Sequence, residues 1–495
     1  MIIGGLDVGT SGVKCVLFDE NGTVLCRTHR EYSYTSDGGQ YCLDANNVLQ
    51  KSCEVLSEAA HTVNSPIDGI GVSAIGESCV LLDENDRVLG NSILYNDHRG
   101  FDESEKITAR FGSREIFERT GVRPNGTYSI EKLMWIRGNE AYWDRVDKIL
   151  LFEDFIIYKL TGNRLISYSL ASRTMAFDVV RKAWDDEILD FAGVRKEWLS
   201  EPVRSGTCAG TVLPRIAEEY GLNSTLRVFT GGHDSWCCAI GGGLSEGITV
   251  NISGSGDTLN FLMDAPNRSK AMFDGDYTCS PTAYGDSFGS FCLCPMSGNL
   301  IRWFRDIMYP MIPRSEFYSY MERDIPSGPS GVIINPGFSA SGHPCFRLRS
   351  EGVISGLTTK TTPFRIYKGL MESVAMHLRA NRDYFLKHGI KKLENIRSVG
   401  GGSTSAVWMQ IKADILGESI LTLESFEAGA AGCAILSGVG CGFFADIAEA
   451  QSSLIKPGKL YEPDKNSSER YEEEYVRFIK QMEAYSEVYK DVYRT

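Results

Sequence analysis

The sequence has little of what a membrane-spanning, secreted or nucleic-acid-binding chain needs. No apolar run reaches the roughly 18 residues of a membrane span. The first residues carry neither the basic region nor the long apolar stretch of a secretory signal peptide. The formal net charge is −13, which leaves no basic surface for nucleic acid or an anionic membrane. We therefore expect a cytoplasmic protein without nucleic-acid or membrane partners.

Histidine is also scarce, at 7 residues, and the 14 cysteines follow no zinc-binding pattern. The two close pairs, Cys237-Cys238 and Cys292-Leu293-Cys294, have no matching second pair and no histidine cluster beside them. Cysteines scattered through apolar runs are typical of reduced, buried thiols. The sequence thus predicts no structural zinc site.

What is present is a long chain of ordinary composition. Its 495 residues predict two large domains of roughly 250 residues each. Apolar residues make up 42% and charged residues 23% of the chain, which is normal for a globular protein.

A short stretch near the middle of the chain is the first candidate site. Residues 226–230 predict a buried strand, Gly231 and Gly232 a sharp turn, and residues 237–243 a helix of small residues. Asp234 follows the turn at the C-terminal end of the strand, where it is well placed to act on a ligand held in a cleft. The alternative is that Asp234 caps the helix, since aspartate is a favoured N-cap residue.

The N-terminal segment predicts a β-hairpin that suits phosphate groups. Residues 2–7 and 13–18 predict strands, and residues 8–12 form the turn between them. The turn offers free N–H groups and the hydroxyls of Thr10 and Ser11, with Lys14 close by. Asp7, at the end of the first strand, can hold a hydrated Mg²⁺ beside them. An ordinary hairpin with a polar turn is the alternative.

Polar loops after two further predicted strands form a candidate binding site. Glu77 and Ser78 follow the strand 67–75, and Asn96 and Asp97 end the short strand 92–97. Polar groups that converge at strand ends can grip a small polyhydroxylated ligand. The alternative is that each of these charges belongs to the solvated surface.

The strand–glycine turn–strand pattern of residues 2–18 occurs again at residues 247–263, where the turn contains Gly254, Ser255 and Gly256. This coarse repeat predicts two similarly built halves with a boundary near residues 244–247. We expect an N-terminal domain at 1–245 with a helical insertion at about 102–200. A second domain at 246–445 and a helical extension at 446–495 complete the chain.

A third glycine-rich turn follows in the second half. Residues 264–360 predict irregular structure, and Pro363 opens a long helix to about Lys387. The strand 396–399 then leads into Gly400-Gly401-Gly402 and a helix over 407–416. That order is typical of a nucleotide site, because bare backbone approaches the ligand at a helix N-terminus. The spacing Gly-x-Gly-x-x-Gly and a Gly-Lys-Ser/Thr loop are both absent.

Together these segments resemble the FGGY carbohydrate kinases, the group of xylulokinase, glycerol kinase and ribulokinase. The matching segments are 6–14, 80–83, 93–99, 132–135, 232–234, 254–256, 401–403, 410–417 and 427–432, in the family's order. The resemblance spans about residues 1–445 and is nearest to xylulokinase-like sugar kinases. It implies an α/β fold of two actin-like, ribonuclease-H-like domains around a central cleft. Sugar would bind mainly to the first domain and ATP mainly to the second.

The resemblance also implies roles for individual residues. Asp234 matches the general base that takes the proton from the attacking sugar hydroxyl, and Asp7 matches the acid near Mg²⁺. The remaining matches are Thr10, Ser11 and Lys14 in a first phosphate loop, Gly254, Ser255 and Gly256 in a second, and Gly401, Gly402 and Ser405 in an adenosine loop. ATP and Mg²⁺ are the implied cofactors. Dimers are common in that family, so the resemblance leaves a homodimer open.

Departures from the family pattern leave the substrate open. Gly76-Glu77-Ser78 stands where xylulokinases carry Met-His-Gly and glycerol kinases carry Arg-Glu-Thr. The histidine before Asp234, His233, is similar to the residue found there in members that act on ketoses. We expect ATP-dependent phosphorylation of a ketose such as xylulose or of a related polyol, with a glycerol- or erythritol-type kinase as the nearest alternative. A non-catalytic sugar sensor is disfavoured by the intact Asp7 and Asp234. A polymerising actin-like ATPase is disfavoured by the polar loops at 76–78 and 96–99.

Overall fold

A computed structural model describes residues 1–38, 40–63, 65–336, 338, 352–424 and 427–492. The described chain is a mixed α/β structure built on two large sheets, one in each half. Among the described residues, no helix is both long and apolar enough to cross a bilayer.

The first half of the chain alternates strands with helices. Its strands are β1 (Ile3–Val8), β2 (Gly12–Phe18), β3 (Val24–Glu31), β4 (Thr35–Asp37), β5 (Gln40–Leu43), β6 (Gly69–Ala74), β7 (Cys79–Leu82), β8 (Ser92–Ile93), β9 (Lys148–Leu151), β10 (Leu165–Ser167), β11 (Phe177–Asp178), β12 (Ala183–Trp184), β13 (Glu201–Val203), β14 (Cys208–Thr211) and β15 (Arg227–His233). Its helices are α1 (Ala45–Thr62), α2 (Phe101–Phe111), α3 (Ser113–Thr120), α4 (Ser129–Asn139), α5 (Phe152–Thr161), α6 (Tyr168–Ala171), α7 (Asp186–Ala192), α8 (Pro214–Tyr220) and α9 (Asp234–Gly241).

The second half repeats the pattern with longer helices. Its strands are β16 (Thr249–Ser253), β17 (Asp257–Met263), β18 (Ser280–Pro281), β19 (Phe288–Cys294), β20 (Ile333–Asn335), β21 (Val353–Ser355), β22 (Ile396–Val399), β23 (Ile420–Leu423) and β24 (Pro457–Tyr461). Its helices are α10 (Lys270–Asp274), α11 (Gly298–Met308), α12 (Arg314–Arg323), α13 (Pro363–Lys387), α14 (Ala406–Leu416), α15 (Ala428–Gly440), α16 (Ile447–Leu454) and α17 (Lys465–Val492).

The two sheets confirm the predicted repeat. The first has the strand order β14-β15-β6-β1-β2-β3, and the second β18-β19-β17-β16-β22-β23-β24. In each half an antiparallel hairpin, β1–β2 or β16–β17, carries the glycine-rich turn, and its first strand pairs in parallel with a later strand, β6 or β22. A parallel neighbour brings another strand end to the same sheet edge, so each hairpin tip lies among polar loops.

Helices cover both faces of the first sheet. Successive residues of β2 enter different clusters: Cys15 and Leu17 pack with α1, whereas Val16 and Phe18 pack with α9 and α15. Because side chains alternate across a strand, α1 and α15 lie on opposite faces. The helix α15 therefore lies on the first sheet although it belongs to the second half of the chain.

The helices α9 and α15 pack almost backbone to backbone. A side chain on Gly432 would overlap the carbonyl of Cys237, and one on Gly241 would overlap the carbonyl of Ala428. A side chain on Gly5 of β1 would likewise overlap the backbone of Ala430. The small residues of α15 thus let this helix approach both α9 and the first sheet.

Single residues explain where several helices begin and end. Asp44 caps α1, with its carboxylate accepting from the N–H groups of Asn46 and Asn47. The helix α13 runs from Pro363 to Lys387, as Pro at the first helical position indicated. Gly162 ends α5 in the left-handed conformation.

Other predictions are wrong in detail. Gly231 and Gly232 do not form a turn: β15 continues through them to His233, and only its register with β6 shifts there. The segment 264–360 is not irregular throughout, since it holds β19, α11 and α12. Apolar residues do recur at helical spacing in α11 and α12, but the Gly-, Ser- and Pro-rich stretches around these helices outweighed that signal. Residues 337, 339–351 of that segment lie outside the described residues.

The insertion at 102–200 is only partly helical. It contains α2 to α7, but β9 within it pairs with β7 of the preceding segment, and β10 pairs with β13 beyond it. Residues 79–89 also depend on a distant partner: β7 takes β9, and only one bridge joins Leu82 to Val88. The strand predicted at 92–97 is limited to Ser92–Ile93.

Candidate active site

Asp234 lies at the point where β15 ends and α9 begins. It is the first residue of the helix, and its Oδ1 accepts the N–H of Ser235 at 2.6 Å. The hydroxyl of Ser235 donates to Asn260 Oδ1 in β17, 3.2 Å away. Since β17 belongs to the second sheet, Asp234 lies at the junction of the two halves, and 38% of its side chain is open to solvent.

The environment of Asp234 makes its carboxylate unusually basic. Burial, followed by the negative charge of Asp7, raises the pKa of Asp234 to about 7. Glu77 raises it further, while Arg173 and the Ser235 N–H act in the opposite direction. An aspartate with a pKa near neutrality can both accept a proton and release it at the working pH.

Asp7 is held rigidly beside the first hairpin turn. Its Oδ1 accepts the hydroxyl of Ser73 at 2.6 Å, across the parallel pairing of β1 with β6. Burial raises the pKa of Asp7, and its bond to Ser73 and the charge of Lys14 oppose that rise. A Cβ on Gly429, in the first turn of α15, would come within 2.5 Å of Asp7 Oδ2. Gly429 therefore leaves the space that this carboxylate occupies.

The first hairpin turn is open at its tip and braced at its base. The N–H of Gly9 donates to the carbonyl of Gly12 at 2.9 Å, and Tyr32 donates its hydroxyl to the carbonyl of Gly9 at 2.6 Å. Thr10 is half-buried and Ser11 is exposed. Lys14 Nζ lies 2.9 Å from Glu427 Oε2, so an ion pair joins this hairpin to the segment that precedes α15.

The second hairpin turn is built in the same way. The N–H of Gly254 donates to the carbonyl of Gly256 at 2.9 Å, and Ser255 is exposed between them. The start of α11 docks on this turn: the N–H groups of Gly298 and Asn299 donate to the carbonyls of Gly254 and Ser255 at 3.0 and 3.1 Å.

The glycine run before α14 follows the neighbouring strand β22. Gly400 has φ 91°, a backbone conformation that favours glycine, and a short 3-10 turn spans Gly401–Thr404. A Cβ on Gly401 would meet no described atom within 4 Å. Ser405 caps α14: its hydroxyl oxygen accepts from Trp408 N–H at 3.1 Å, and the hydroxyl donates to Glu322 at 2.6 Å.

Glu77 is paired with an arginine that the sequence did not point to. Arg173 Nε donates to Glu77 Oε1 at 2.6 Å, and its Nη2 contacts the same oxygen. Its Nη1 is buried without a hydrogen-bond partner among the described residues. Glu77 itself has φ 64°. A Cβ on Gly76 would come within 3.1 Å of the His233 ring and 3.3 Å of Arg173, so these two side chains fill the space beside Gly76.

His233 is a neutral imidazole beside Asp234. Burial and the charge of Arg173 hold the pKa of His233 well below its usual value. Its Nε2 lies 3.4 Å from Asp234 Oδ1, and its Nδ1 is buried without a partner in the described part of the chain. A neutral imidazole can exchange hydrogen bonds with a hydroxyl without neutralising the charge of Asp234.

The other residues predicted to bind the sugar, Ser78, Asn96 and Asp97, lie partly at the surface and partly in the interior. Asp97 is fully buried, and its two oxygens accept from the N–H groups of Tyr41 and Arg99 and from the Arg99 guanidinium. Asp97 therefore fixes this loop, whereas Asn96 is exposed. Ser78 is fully buried, and its Oγ has no partner among the described residues.

Tyr95 is a second site residue that sequence reasoning missed. Although the residue is exposed, the protein around its phenol, and then the charges of Asp234 and Glu77, raise its pKa. The phenol therefore lies near both acids. Its signals in the sequence were its place in the matching segment 93–99 and its position directly before Asn96. Arg173 lies in the insertion, 96 residues from Glu77, and gave no signal.

The residues present fit a magnesium ion that is shared with phosphate groups. Among the described residues, no group of three or more His, Cys, Asp or Glu side chains could hold a metal ion alone. Mg²⁺ is usually held by one or two carboxylates together with waters and substrate phosphates. Asp7 suits that role, because its charge raises the pKa of Asp234 and a cation beside Asp7 would offset that repulsion.

Comparison with known proteins identifies the family. Residues 2–241 match the N-terminal domain, and residues 249–441 the C-terminal domain, of the FGGY family of carbohydrate kinases. The chain is 27% identical over 473 residues to the xylulose kinase of Bacillus subtilis, covering 94% of each chain. Ligand-bound xylulose kinase and gluconate kinase, both from Lactobacillus acidophilus, each match with a TM-score of 0.89 at 21% identity over 99% of both chains.

The chain belongs to the FGGY family of carbohydrate kinases. It is a carbohydrate kinase with the two-domain, actin-like α/β fold of that family, as its sequence motifs predicted. ATP is the phosphate donor of this family and a small sugar the acceptor.

Proposed function

We propose that this protein transfers a phosphoryl group from Mg-ATP to one hydroxyl of a small ketose such as xylulose, with Asp234 as the general base. The observation that carries the proposal is the carboxylate of Asp234, with its pKa raised to about 7, at the junction of two glycine-turn hairpins. The relatives reported above support the acceptor class, since their names include a xylulose kinase.

The chemistry requires one proton to move. The acceptor hydroxyl gives its proton to an oxygen of Asp234, its oxygen bonds to the terminal phosphorus, and the bond from that phosphorus to the ADP oxygen breaks. Little covalent help is needed beyond positioning and charge neutralisation. With its pKa near 7, Asp234 is ionised often enough to act and basic enough to take the proton.

Backbone N–H groups and hydroxyls would receive the nucleotide. Thr10, Ser11 and Lys14 would contact phosphate oxygens from the first turn, and Gly254, Ser255 and Gly256 from the second. Gly401, Gly402 and Ser405 would border the adenosine. The exposed turns support this role, because unpaired N–H groups at a tip bind anions. Asp7 would hold Mg²⁺, which neutralises phosphate charge when it is bound.

The acceptor would bind beside Asp234, between His233, Glu77 and Asn96. Arg173 Nη1 and His233 Nδ1 support this position, since both are buried without partners among the described residues and a hydroxylated ligand would satisfy them. Ser78 and Asp97 would shape the loops behind it. A glycerol- or erythritol-type polyol is the second candidate, because Glu77 matches the glutamate of glycerol kinases. It ranks second because Gly76 stands where those kinases have an arginine.

Closure of the two halves would exclude water and protect ATP from hydrolysis. The ion pair between Lys14 and Glu427 supports such a link between the halves. We retain 1–245, 246–445 and 446–495 as the proposed division. A homodimer and a cytoplasmic location remain predictions from the sequence.

The test is a coupled assay of ADP release with a panel of pentuloses, hexuloses, pentitols, erythritol, glycerol and gluconate. We expect stimulation by a ketose and its loss in Asp234→Asn. Asp190→Asn, the same change at an exposed residue of α7, is the matched control. Normal turnover by Asp234→Asn would refute the base assignment, and a protein that binds sugar without releasing ADP would be a sensor.

A further inference from the structure

Lys412 is a completely buried lysine on α14. Its ammonium contacts the carboxylate of Asp257, which is also completely buried, and donates to Asn251 Oδ1 and Ser253 Oγ at 2.9 Å each. A second donor, the hydroxyl of Ser398, reaches Asn251 Oδ1 at 3.0 Å. These five residues form a buried polar network within the second half of the chain.

The network holds both ends of the second hairpin turn. Ser253 directly precedes Gly254, Asp257 directly follows Gly256, and the two are paired across β16 and β17. One ammonium therefore contacts the residue before the turn and the residue after it. The width of the turn is fixed where it would meet phosphate.

Ser253 is also the support for the glycine run of residues 400–402. A Cβ on Gly400 would come within 2.7 Å of the Ser253 carbonyl oxygen, and a Cβ on Gly402 would overlap Ser253 Oγ. The glycine run thus passes directly over the serine that Lys412 binds. The second hairpin turn and the glycine run, which approach different parts of a nucleotide in the proposed function, share one buried anchor.

A buried ion pair is a poor way to gain stability alone, because desolvation of both charges offsets their attraction. Apolar side chains of similar volume would fill the same space at less cost. What the ammonium adds is direction, because it donates hydrogen bonds to Asn251 and Ser253 of one strand while its charge lies against the carboxylate of Asp257 in the next.

We propose that Lys412 is a positioning residue for ATP. Its ammonium sets the distance between the second hairpin turn and the glycine run. This inference rests on the proposed assignment of those two segments to the nucleotide. It concerns residues that touch neither substrate, so their effect must reach ATP through Ser253 and Asp257.

Lys368 provides the matched control. It is another buried lysine, on α13, and its ammonium donates to the carbonyls of Pro326 and Gly328 at 2.9 and 2.5 Å. Lys368→Met removes a buried ammonium without touching the network around Ser253. Any loss that follows simply from deleting a buried lysine appears in both variants.

The experiment compares Lys412→Met, Lys368→Met and the double variant Lys412→Met/Asp257→Asn. We measure KM for ATP, KM for the sugar, ADP affinity by calorimetry and the midpoint of thermal unfolding. For Lys412→Met we expect KM for ATP and the ADP Kd to rise on the order of tenfold, with KM for the sugar changed by less than about twofold. Lys368→Met should leave both nucleotide constants near those of the wild type.

The double variant separates positioning from stability. It removes the charge that Lys412→Met leaves unpaired, so we expect the unfolding midpoint to recover while the ADP Kd stays raised. The proposal would be overturned if both the unfolding midpoint and the ADP Kd of the double variant returned to the wild-type values. It would also be overturned if the ADP Kd were unchanged in Lys412→Met. Absence of sugar-dependent ADP release by the wild type would refute the proposed function instead, and the ADP Kd values would still decide the role of Lys412.

Discussion

Arg173 Nε donates to Glu77 Oε1 at 2.6 Å, although the two residues are 96 positions apart. The pair lies directly beside Gly76, where a Cβ would meet Arg173 at 3.3 Å. A guanidinium thus reaches the position beside Glu77 from the insertion, and not from residue 76, where glycerol kinases carry their arginine. Together with the neutral His233, this pair forms one wall of the site around Asp234.

This arrangement predicts a specific effect of Arg173→Lys. Lysine keeps the charge but cannot offer the planar fork of N–H donors. We expect KM for the sugar to rise about tenfold, equivalent to about 1.4 kcal/mol, while KM for ATP is unchanged. Arg181→Lys, at an exposed pair with Asp178, is the control. Equal KM values for the sugar in the two variants would show that the fork has no part in acceptor binding.

The pKa of Asp234 predicts the pH dependence of turnover. Because the base must be ionised and its pKa is raised to about 7, kcat should rise with pH and reach half its maximum near pH 7. His233 should add no second step, since its pKa is held well below its usual value. The measurement is kcat between pH 5.5 and 9 at saturating ATP and sugar, and a flat profile would contradict the assignment.

The same pKa predicts that Asp234→Asn stabilises the protein. A carboxyl with a raised pKa binds its proton more tightly in the folded state, so folded stability falls as pH rises from about 4 to about 7. Asparagine removes this penalty. With 38% of the side chain exposed, we discount the effect to about 1–2 kcal/mol at pH 8, and less at pH 5.5. Urea unfolding at both pH values measures it, and a destabilised variant would refute the linkage.

Gly429→Ala tests the packing of α15 against Asp7. The new methyl group would come within 2.5 Å of Asp7 Oδ2, so the carboxylate or the helix must shift. If Asp7 holds Mg²⁺ as proposed, we expect kcat to fall by about tenfold or more, since displacement of a reacting group's support by a fraction of an ångström is costly. Gly138→Ala is the control: this glycine is exposed in α4 and has open space around it, so the change should add about 0.5–1 kcal/mol of stability. Unaltered kcat in Gly429→Ala would show that Asp7 has room to move.

Much of the fold could be predicted because its signals are local. The hairpins at residues 2–18 and 247–263 follow from alternating strands around a glycine-rich turn, and the cap at Asp44 and the start of α13 at Pro363 follow from single residues. Where the partner of a strand is distant, local pattern failed. The strand β7 took β9 in place of the neighbouring segment 88–89, a choice that depends on packing of the insertion.

The sequence by itself determined the order of the motifs, the two hairpin turns and the identity of Asp7 and Asp234 as candidate acids, because each depends on residues within a few positions. Only the tertiary structure decided what surrounds them. Arg173, Tyr95 and Lys412 meet their partners through contacts between distant segments, and such contacts depend on how the sheets and helices pack. The raised pKa of Asp234 has the same origin. Asp234 is buried and close to the charge of Asp7 only once β1 and β15 lie in one sheet.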